Sequence, residues 1–523
     1  MEIYSSLTAL DFAVIIAYII ALLALGFWVS LKKDHEEDMF LAGRSLGWCN
    51  IGLSIFGTNV SPSMMISSAG VAYASGMVAS NFEWLAWWFL MLLAMLFIPH
   101  YMNTKISTMP EFLEKRFSPQ CRTFLSWYTL FSTLTIWLGG TLYAGGLLLS
   151  QLLNWPIWLS VVFLVTIATS FTVAGGLKAV VITDSFQSIL MIVASTILTI
   201  IAFTKIGSLD KLINSVPADY WTLFRPSDDP KWPWYAVILG YPVSGIWFWC
   251  TDQTIVQRAL GGRDIRQGQL GCLFAGFLKV IVPFIFFVPG IMCKVLHPNL
   301  ANQDHAYMTM VTTYLPHGMI GLIVAVLMAA LISTVDSGLN SLSTVFTLDI
   351  YCKYARKDIT QKQKNKMGQY VTLGGAVIAV ASALGIAAIP DKGLFEKLLT
   401  IIQFLSPPLA ATFIVGVCFQ RANAISAFCT LITGSIISVG IGIANLCKWP
   451  SEDFFPNFLL LSFYIFAGLV IFMIILSLLT KPDDKKFPTV KQALAVTQSK
   501  TKDIWIKWGI LAIIMLILYL IFN

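Results

Sequence analysis

With 523 residues, 57% of them hydrophobic and only 12% charged, the chain falls far short of the roughly 25% charged residues usual in soluble domains. Apolar runs of the length needed to cross a bilayer recur from end to end, the mark of a polytopic α-helical membrane protein. A formal charge of +7 is met by basic loops on one membrane face and calls for no nucleic-acid partner.

In chain order the runs predict fourteen spans, near 9–30, 46–72, 78–100, 121–151, 156–175, 182–206, 234–258, 268–292, 318–350, 368–389, 395–418, 424–446, 457–480 and 503–522. The start, MEIYSSLTALDF, carries Glu2 and Asp11 and no basic region, so it does not read as a cleavable signal. The longest connections, about 207–233, 293–317 and 481–502, have room for a short helix but not for a domain. Loops after the odd-numbered spans hold 24 of the 34 lysines and arginines, among them Lys32, Lys33, Lys353 and Lys366. That side is cytoplasmic, and an even number of spans then leaves both termini extracytoplasmic. A plasma membrane of the bacterial inner type is expected, because the connection before the last span is short. The nine cysteines are scattered, without disulfide or zinc spacing.

Two spans are interrupted. In span 2, IFGTNVSPSMMISSAG, Gly57 and Pro62 break an apolar stretch, with Thr58, Asn59, Ser61 and Ser63 around them. In span 7, ILGYPVSGIWFWCTDQ, Gly240, Pro242 and Gly245 are expected to do the same. Five spans separate the two, so the second copy is inverted relative to the first. Interrupted helices at matching places in two halves point to an inverted-repeat secondary transporter, in which unwound backbone offers carbonyls to a cation and N–H groups to a substrate. Kinking or close helix packing is the alternative role for these residues.

Span 3, NFEWLAWWFLMLLAMLFIPH, carries a carboxylate, Glu83, two residues after its start, and span 8 carries Lys279 in AGFLKVIVP. A charge deep in a bilayer costs at least about 2.5–3.5 kcal/mol, so each either reaches the interface or serves a polar interior. In span 9, AALISTVDSG places Ala330, Ser333, Thr334 and Ser337 on one helical face at i, i+3, i+4 and i+7. Their hydroxyls and carbonyls are hard oxygen ligands suited to a hard cation, or they simply bond the preceding turn. Five dispersed histidines, and the absence of H-E-x-x-H, paired-cysteine or P-loop motifs, argue against an enzyme.

Five segments, MFLAGRSLGWCNIGLSIFGTNVSPS, VAGGLKAVVITDSFQS, IWFWCTDQTIVQRAL, AALISTVDSGLNSLSTVFTLDIY and FLSPPLAATFIVGV, resemble in order the sodium/solute symporter family, most of all its sodium–sugar cotransporter branch. The resemblance implies an all-α, LeuT-type core of two five-helix inverted repeats, 46–206 and 234–418, with a leading helix at 9–30 and three trailing helices over 424–522. It implies sodium-coupled import of a neutral polyhydroxylated solute, a sugar or polyol, by alternating access, with a monomer sufficient for transport.

By resemblance, the carbonyls of Gly57, Val60 and Ala330 and the hydroxyls of Ser333 and Thr334 bind one sodium ion. Asp184, Ser333, Asp336 and Ser337 form a candidate second site, since two nearby carboxylates repel unless a cation or proton lies between them. The stoichiometry expected is therefore one or two sodium ions per substrate. Asp336 reaching water in a vestibule is the other reading. Glu83, Lys279 and Asn59 match the family's sugar-binding carboxylate, lysine and amide. Phe248 and Trp249 match the aromatic pair under the sugar, with Phe248 in place of the usual Tyr. The chain also departs from the pattern. Met64 stands where sugar carriers commonly have Gln or His, Ala86 replaces a Ser, Gly245 a polar residue and Leu399 a Gln, for which Gln403, one turn on, is the candidate substitute. These departures suit an altered hydroxyl pattern or another neutral solute, such as a nucleoside or amino acid. A solute sensor built on a transporter fold is a further alternative.

Overall fold

The computed structural model describes residues 7–32, 38–229, 231–355, 359–388, 394–451, 454–483, 492 and 502–523. Apart from two isolated bridges, the described residues form helices joined by turns, bends and short extended connections. Ten helices among them are long and apolar enough to cross a membrane.

The helices used below are α1 (Ala9–Leu31), α2 (Trp48–Asn59), α3 (Pro62–Ser75), α4 (81–103), α5 (Met109–Arg116), α6 (Pro119–Leu153), α7 (Ile157–Ile206), α8 (Trp234–Gly245), α9 (Gln253–Leu260), α10 (Ile265–Leu296), α11 (Met319–Ala355), α12 (Gln361–Ala387), α13 (Leu394–Cys418), α14 (Ala424–Leu446), α15 (Phe458–Leu479) and α16 (Lys502–Ile521). The helical run α7 covers predicted spans 5 and 6 together. It is kinked at Gly176, whose φ of 60° and ψ of −153° leave the helical region. At that φ a side chain is strained, and an added Cβ would meet the Met39 carbonyl oxygen at 2.6 Å, so glycine fits the corner.

At the centre lies α11. Its residues from Ile323 to Val345 are buried without exception, polar ones included. It packs on α7, α1 and α2, while α2 packs on α10. The outer helices α12, α14, α15 and α16 keep apolar residues exposed, as at Val377, Ile436, Ile471 and Leu520, the pattern of a lipid-facing surface.

The first predicted break is present. Helix α2 ends at Asn59, Val60 and Ser61 are extended, and α3 starts at Pro62 with the Ser61 hydroxyl accepting from the Met64 N–H at 3.1 Å. Ser at the N-cap and Pro at the first helical position explain the sharp restart.

The second break lies elsewhere than expected. Gly240, Pro242 and Gly245 stay inside a helix that continues as π-helical turns over Ile246–Thr251. The chain becomes extended only at Asp252, seven residues beyond Gly245, and Asp252 caps α9 by accepting from the Thr254 N–H at 2.8 Å. The glycines serve close approach instead. A Cβ on Gly240 would meet the Leu459 carbonyl oxygen at 2.4 Å, and one on Gly245 the Phe89 ring at 2.6 Å.

Candidate functional site

The α2–α3 break ends beside the middle of α11. There the Ser333 hydroxyl lies 2.9 Å from the Gly57 carbonyl and 3.1 Å from the Ala330 carbonyl, and the Thr334 hydroxyl lies 2.9 Å from the same Ala330 oxygen. A helix end leaves carbonyls without intrahelical donors, so the Gly57 oxygen is available to a group from outside its own helix. Val60, fully buried, follows in the extended segment. Ser333, Thr334 and the Gly57 and Ala330 carbonyls thus converge, all oxygen donors, all buried. The set fits a hard monovalent cation.

One turn along α11 is a second polar cluster. Asp184 Oδ2 accepts from the Ser54 hydroxyl at 2.6 Å and from the Arg258 guanidinium at 3.2 Å. Arg258 Nε donates to Ser54 Oγ at 2.7 Å, and its other nitrogens donate to Ser337 Oγ and the Thr254 carbonyl. Ser337 also meets Thr58 Oγ1 at 3.1 Å and donates to Asp336 Oδ1 at 3.3 Å. Asp184 Oδ1 and Asp336 Oδ2 are buried with no hydrogen-bond partner. Arg258 therefore joins Asp184 to Ser337, with Asp336 bonded to Ser337 beside it and Ser333 one turn away, and Asp336 is wholly buried rather than open to a vestibule.

Arg258 is what sequence reasoning missed. It stands at the end of predicted span 7, at the edge of the basic loop that follows. The signal is present in FWCTDQTIVQRAL, an arginine nine residues past an aromatic pair inside a membrane-length run. Only the fold shows that α9 turns it inward, to 1% exposure.

Glu83, Lys279 and Asn59 also come together. The Lys279 ammonium donates to Glu83 Oε2 and to Asn59 Oδ1, and lies 5.0 Å from the centre of the Trp249 ring. Glu83 is buried and paired rather than directed to the interface. Trp249 Nε1 donates to the Tyr241 hydroxyl at 3.4 Å, and that hydroxyl donates to the Phe82 carbonyl at 2.6 Å. Phe248 stands edge-on to Trp249, ring centres 4.9 Å apart, and 5.9 Å from Trp137. Beyond Phe248 a void of about 30 Å³ is lined by Ser132, Thr133, Trp137, Asp252 and Thr254, room for a water-sized molecule only. The cluster is thus closed on that side by aromatic rings.

Met64, half-buried, follows the first break and packs against the apolar core. Gln403 donates to Ser462 on α15 at 3.4 Å, a contact with the outer helices rather than with the Glu83–Lys279 pair. The space a polar residue at Gly245 would take is filled by Phe89. The side chain of Leu399 lies outside the described residues.

Known proteins share both sequence and fold with this chain. The chain is 33% identical to the sodium/glucose cotransporter 4 of Danio rerio over 83% of its own length and 72% of that protein's. It is 31% identical to the sodium/myo-inositol cotransporter of Mus musculus over 92% and 74%. A solved structure of a Na+-coupled sialic acid symporter, substrate-bound and outward-open, matches 92% of this chain and all of its own with a TM-score of 0.81 at 24% identity, a likeness of fold. The nucleobase-cation symporter Mhp1 matches more loosely, at a TM-score of 0.54. A family model matches residues 39–434, three quarters of the length, and the chain belongs to the sodium:solute symporter family.

Proposed function

We propose that the protein imports a neutral polyhydroxylated solute, a sugar or polyol, coupled to sodium by alternating access. The observation that carries this reading is the buried cluster of Glu83, Lys279 and Asn59 beside Trp249. A carboxylate supplies acceptors, an ammonium supplies donors, an amide supplies both, and an aromatic face packs on the apolar face of a sugar ring. Net charge in the cluster is zero, which suits a neutral solute. The relatives' names, sodium/glucose and sodium/myo-inositol cotransporters, agree with that class.

In this reading Gly57, Val60, Ala330, Ser333 and Thr334 hold one sodium ion, and Asp184, Asp336, Ser333 and Ser337 a second. Sodium between α2 and α11 fixes the first broken helix, and Asn59, at that helix's end, brings the substrate cluster under the same control.

The chain crosses the membrane fourteen times. The ten long helices rise to fourteen when Pro62–Asn103 is divided at the positive-φ Gly76 and α7 at Gly176, and when the interrupted α8–α9 and the partly described α13 are added. Segments 46–206 and 234–418 form the two inverted repeats, a division supported by broken helices in the first element of each. Both termini face away from the cytoplasm, as the basic loops require, and one protomer suffices for transport.

A thermal-shift panel in sodium and in potassium tests the substrate class. A hexose, myo-inositol or a disaccharide is expected to raise the unfolding temperature only with sodium, and Glu83→Gln to abolish the effect. Stabilisation by a nucleoside or a neutral amino acid alone would contradict it.

A further inference from the structure

We propose that Arg258 is a tethered cation that competes with sodium for Asp184 and Ser337, and that ion arrival displaces the guanidinium and loosens the cytoplasmic half of the second broken helix. The inference rests on the reading of Asp184, Asp336 and Ser337 as a cation site.

Two carboxylates and one guanidinium share the buried cluster, so its formal charge is −1 and it attracts a further cation. A guanidinium taken out of water needs its acceptors, and here Asp184, Ser54, Ser337 and the Thr254 carbonyl supply them. Two of these, Asp184 and Ser337, are oxygens that a sodium ion would also take. Asp184 Oδ1 and Asp336 Oδ2, buried and without a hydrogen-bond partner, are further carboxylate oxygens with capacity for a cation. A sodium ion there meets a like charge at close range, so occupancy by ion and by guanidinium oppose each other.

Displacement has a mechanical consequence. Arg258 sits on α9, a helix of eight residues that follows the extended hinge at Asp252. Through Ser54 it ties α9 to α2, and two backbone bonds on Leu46, from its N–H to the Gly261 carbonyl and from the Arg263 N–H to its carbonyl, add to that tie. Through Asp184 and Ser337 it ties the same unit to α7 and α11. Losing the second pair of contacts loosens α9, which among the described residues then keeps only the Gln257–Thr344 bond to α11, while α2 stays held through Ser54–Asp184 and Thr58–Ser337. The ion site and the inner end of the transport path are coupled by one side chain, and the coupling is reciprocal.

Sodium binding to the purified protein in nanodiscs, measured with radiolabelled sodium and no organic substrate, tests this. Arg258→Gln removes the competitor and is expected to tighten sodium binding about 5- to 150-fold, the usual span for linked sites. Arg258→Lys keeps a charge and is expected to stay near the parent. An arginine that merely holds the fold predicts the opposite sign, and unchanged or weaker sodium binding in folded Arg258→Gln overturns the proposal. Should Arg258→Gln not fold, spin labels at Arg263→Cys, just past the end of α9, and Lys362→Cys on α12, with Cys49, Cys418 and Cys447 changed to Ser, report the distance between the end of α9 and α12 in the otherwise native protein. That distance is expected to differ between sodium and potassium, and an identical distance overturns the proposal. Asp184→Asn separates the layers. If it leaves sodium stoichiometry unchanged, the cation reading of this cluster fails with the proposal. If it removes a sodium ion while Arg258→Gln tightens nothing, only the exchange fails.

Discussion

Ser333 and Glu83 carry the heaviest duties among single residues. Removing the Ser333 hydroxyl deletes a donor to the Gly57 carbonyl and, in the proposed reading, a cation ligand in one step. An unmet buried polar group costs about 1–3 kcal/mol, so Ser333→Ala is expected to raise the sodium concentration for half-maximal uptake by roughly 5- to 150-fold. Sodium activation curves check this, and an unchanged curve would remove Ser333 from the ion site. Glu83→Gln leaves the Lys279 ammonium buried without its counter-charge, which costs about 3–5 kcal/mol. The expected outcome is a lower unfolding temperature together with lost uptake. The double variant Glu83→Gln, Lys279→Met should regain stability without regaining uptake. Regained uptake would show that the pair is structural only. Spacing placed Ser333 and Thr334 on one helical face, because span 9 is a regular helix, and the family resemblance, not the spacing, singled them out as sodium ligands. Arg258 was hidden because the chain turns extended at Asp252, and a helix that restarts there resets which way its side chains point.

At the level of elements, the two breaks show what sequence signals resolve. Ser61 and Pro62 are unambiguous, since one caps a helix and the other starts one. Gly240, Pro242 and Gly245 carried an ambiguous signal. Glycine marks a break and a close helix contact alike, and here the contacts with Leu459 and Phe89 decide. The true second break was announced by Asp252, an N-cap residue read only as part of a motif. A further tie between elements lay beyond sequence patterning. Glu114 on α5 bonds Arg122 of α6 at 2.5 Å and Lys353 of α11 at 2.7 Å, while Arg122 also donates to Asp349 at 2.7 Å. Burial pushes the Glu114 carboxyl up, but the bonds from Arg122 and Lys353 outweigh it and hold it below its ordinary value. A depressed folded-state value adds stability that is present above the unfolded value of 4.5 and lost as pH falls through the folded one. Unfolding temperatures taken from pH 6 down to pH 3.5 are expected to fall more steeply for the parent than for Glu114→Gln. Parallel curves would mean that the latch does not titrate in this range.

For the whole molecule, composition and run length were enough to place the chain in a membrane, and the five quoted segments to place it in its family. The arrangement of helices around α11 was not legible in the same way. It depends on contacts between residues hundreds of positions apart, such as Ser333 with Gly57 and Lys279 with Glu83. What the fold adds is economy of position, since the ion set, the Arg258 cluster and the substrate cluster all touch α2 between Ser54 and Asn59. In the proposed reading one short helix end therefore senses ion and solute together, as coupled transport requires. The measurement that tests this most directly is uptake of labelled hexoses, myo-inositol and a disaccharide into proteoliposomes under an inward sodium gradient, with potassium as control. Accumulation of one of them above equilibrium with sodium, abolished by Ser333→Ala and by Glu83→Gln, is the predicted result. Accumulation that proceeds equally in potassium, or none of any sugar or polyol by a folded, sodium-binding protein, would contradict it.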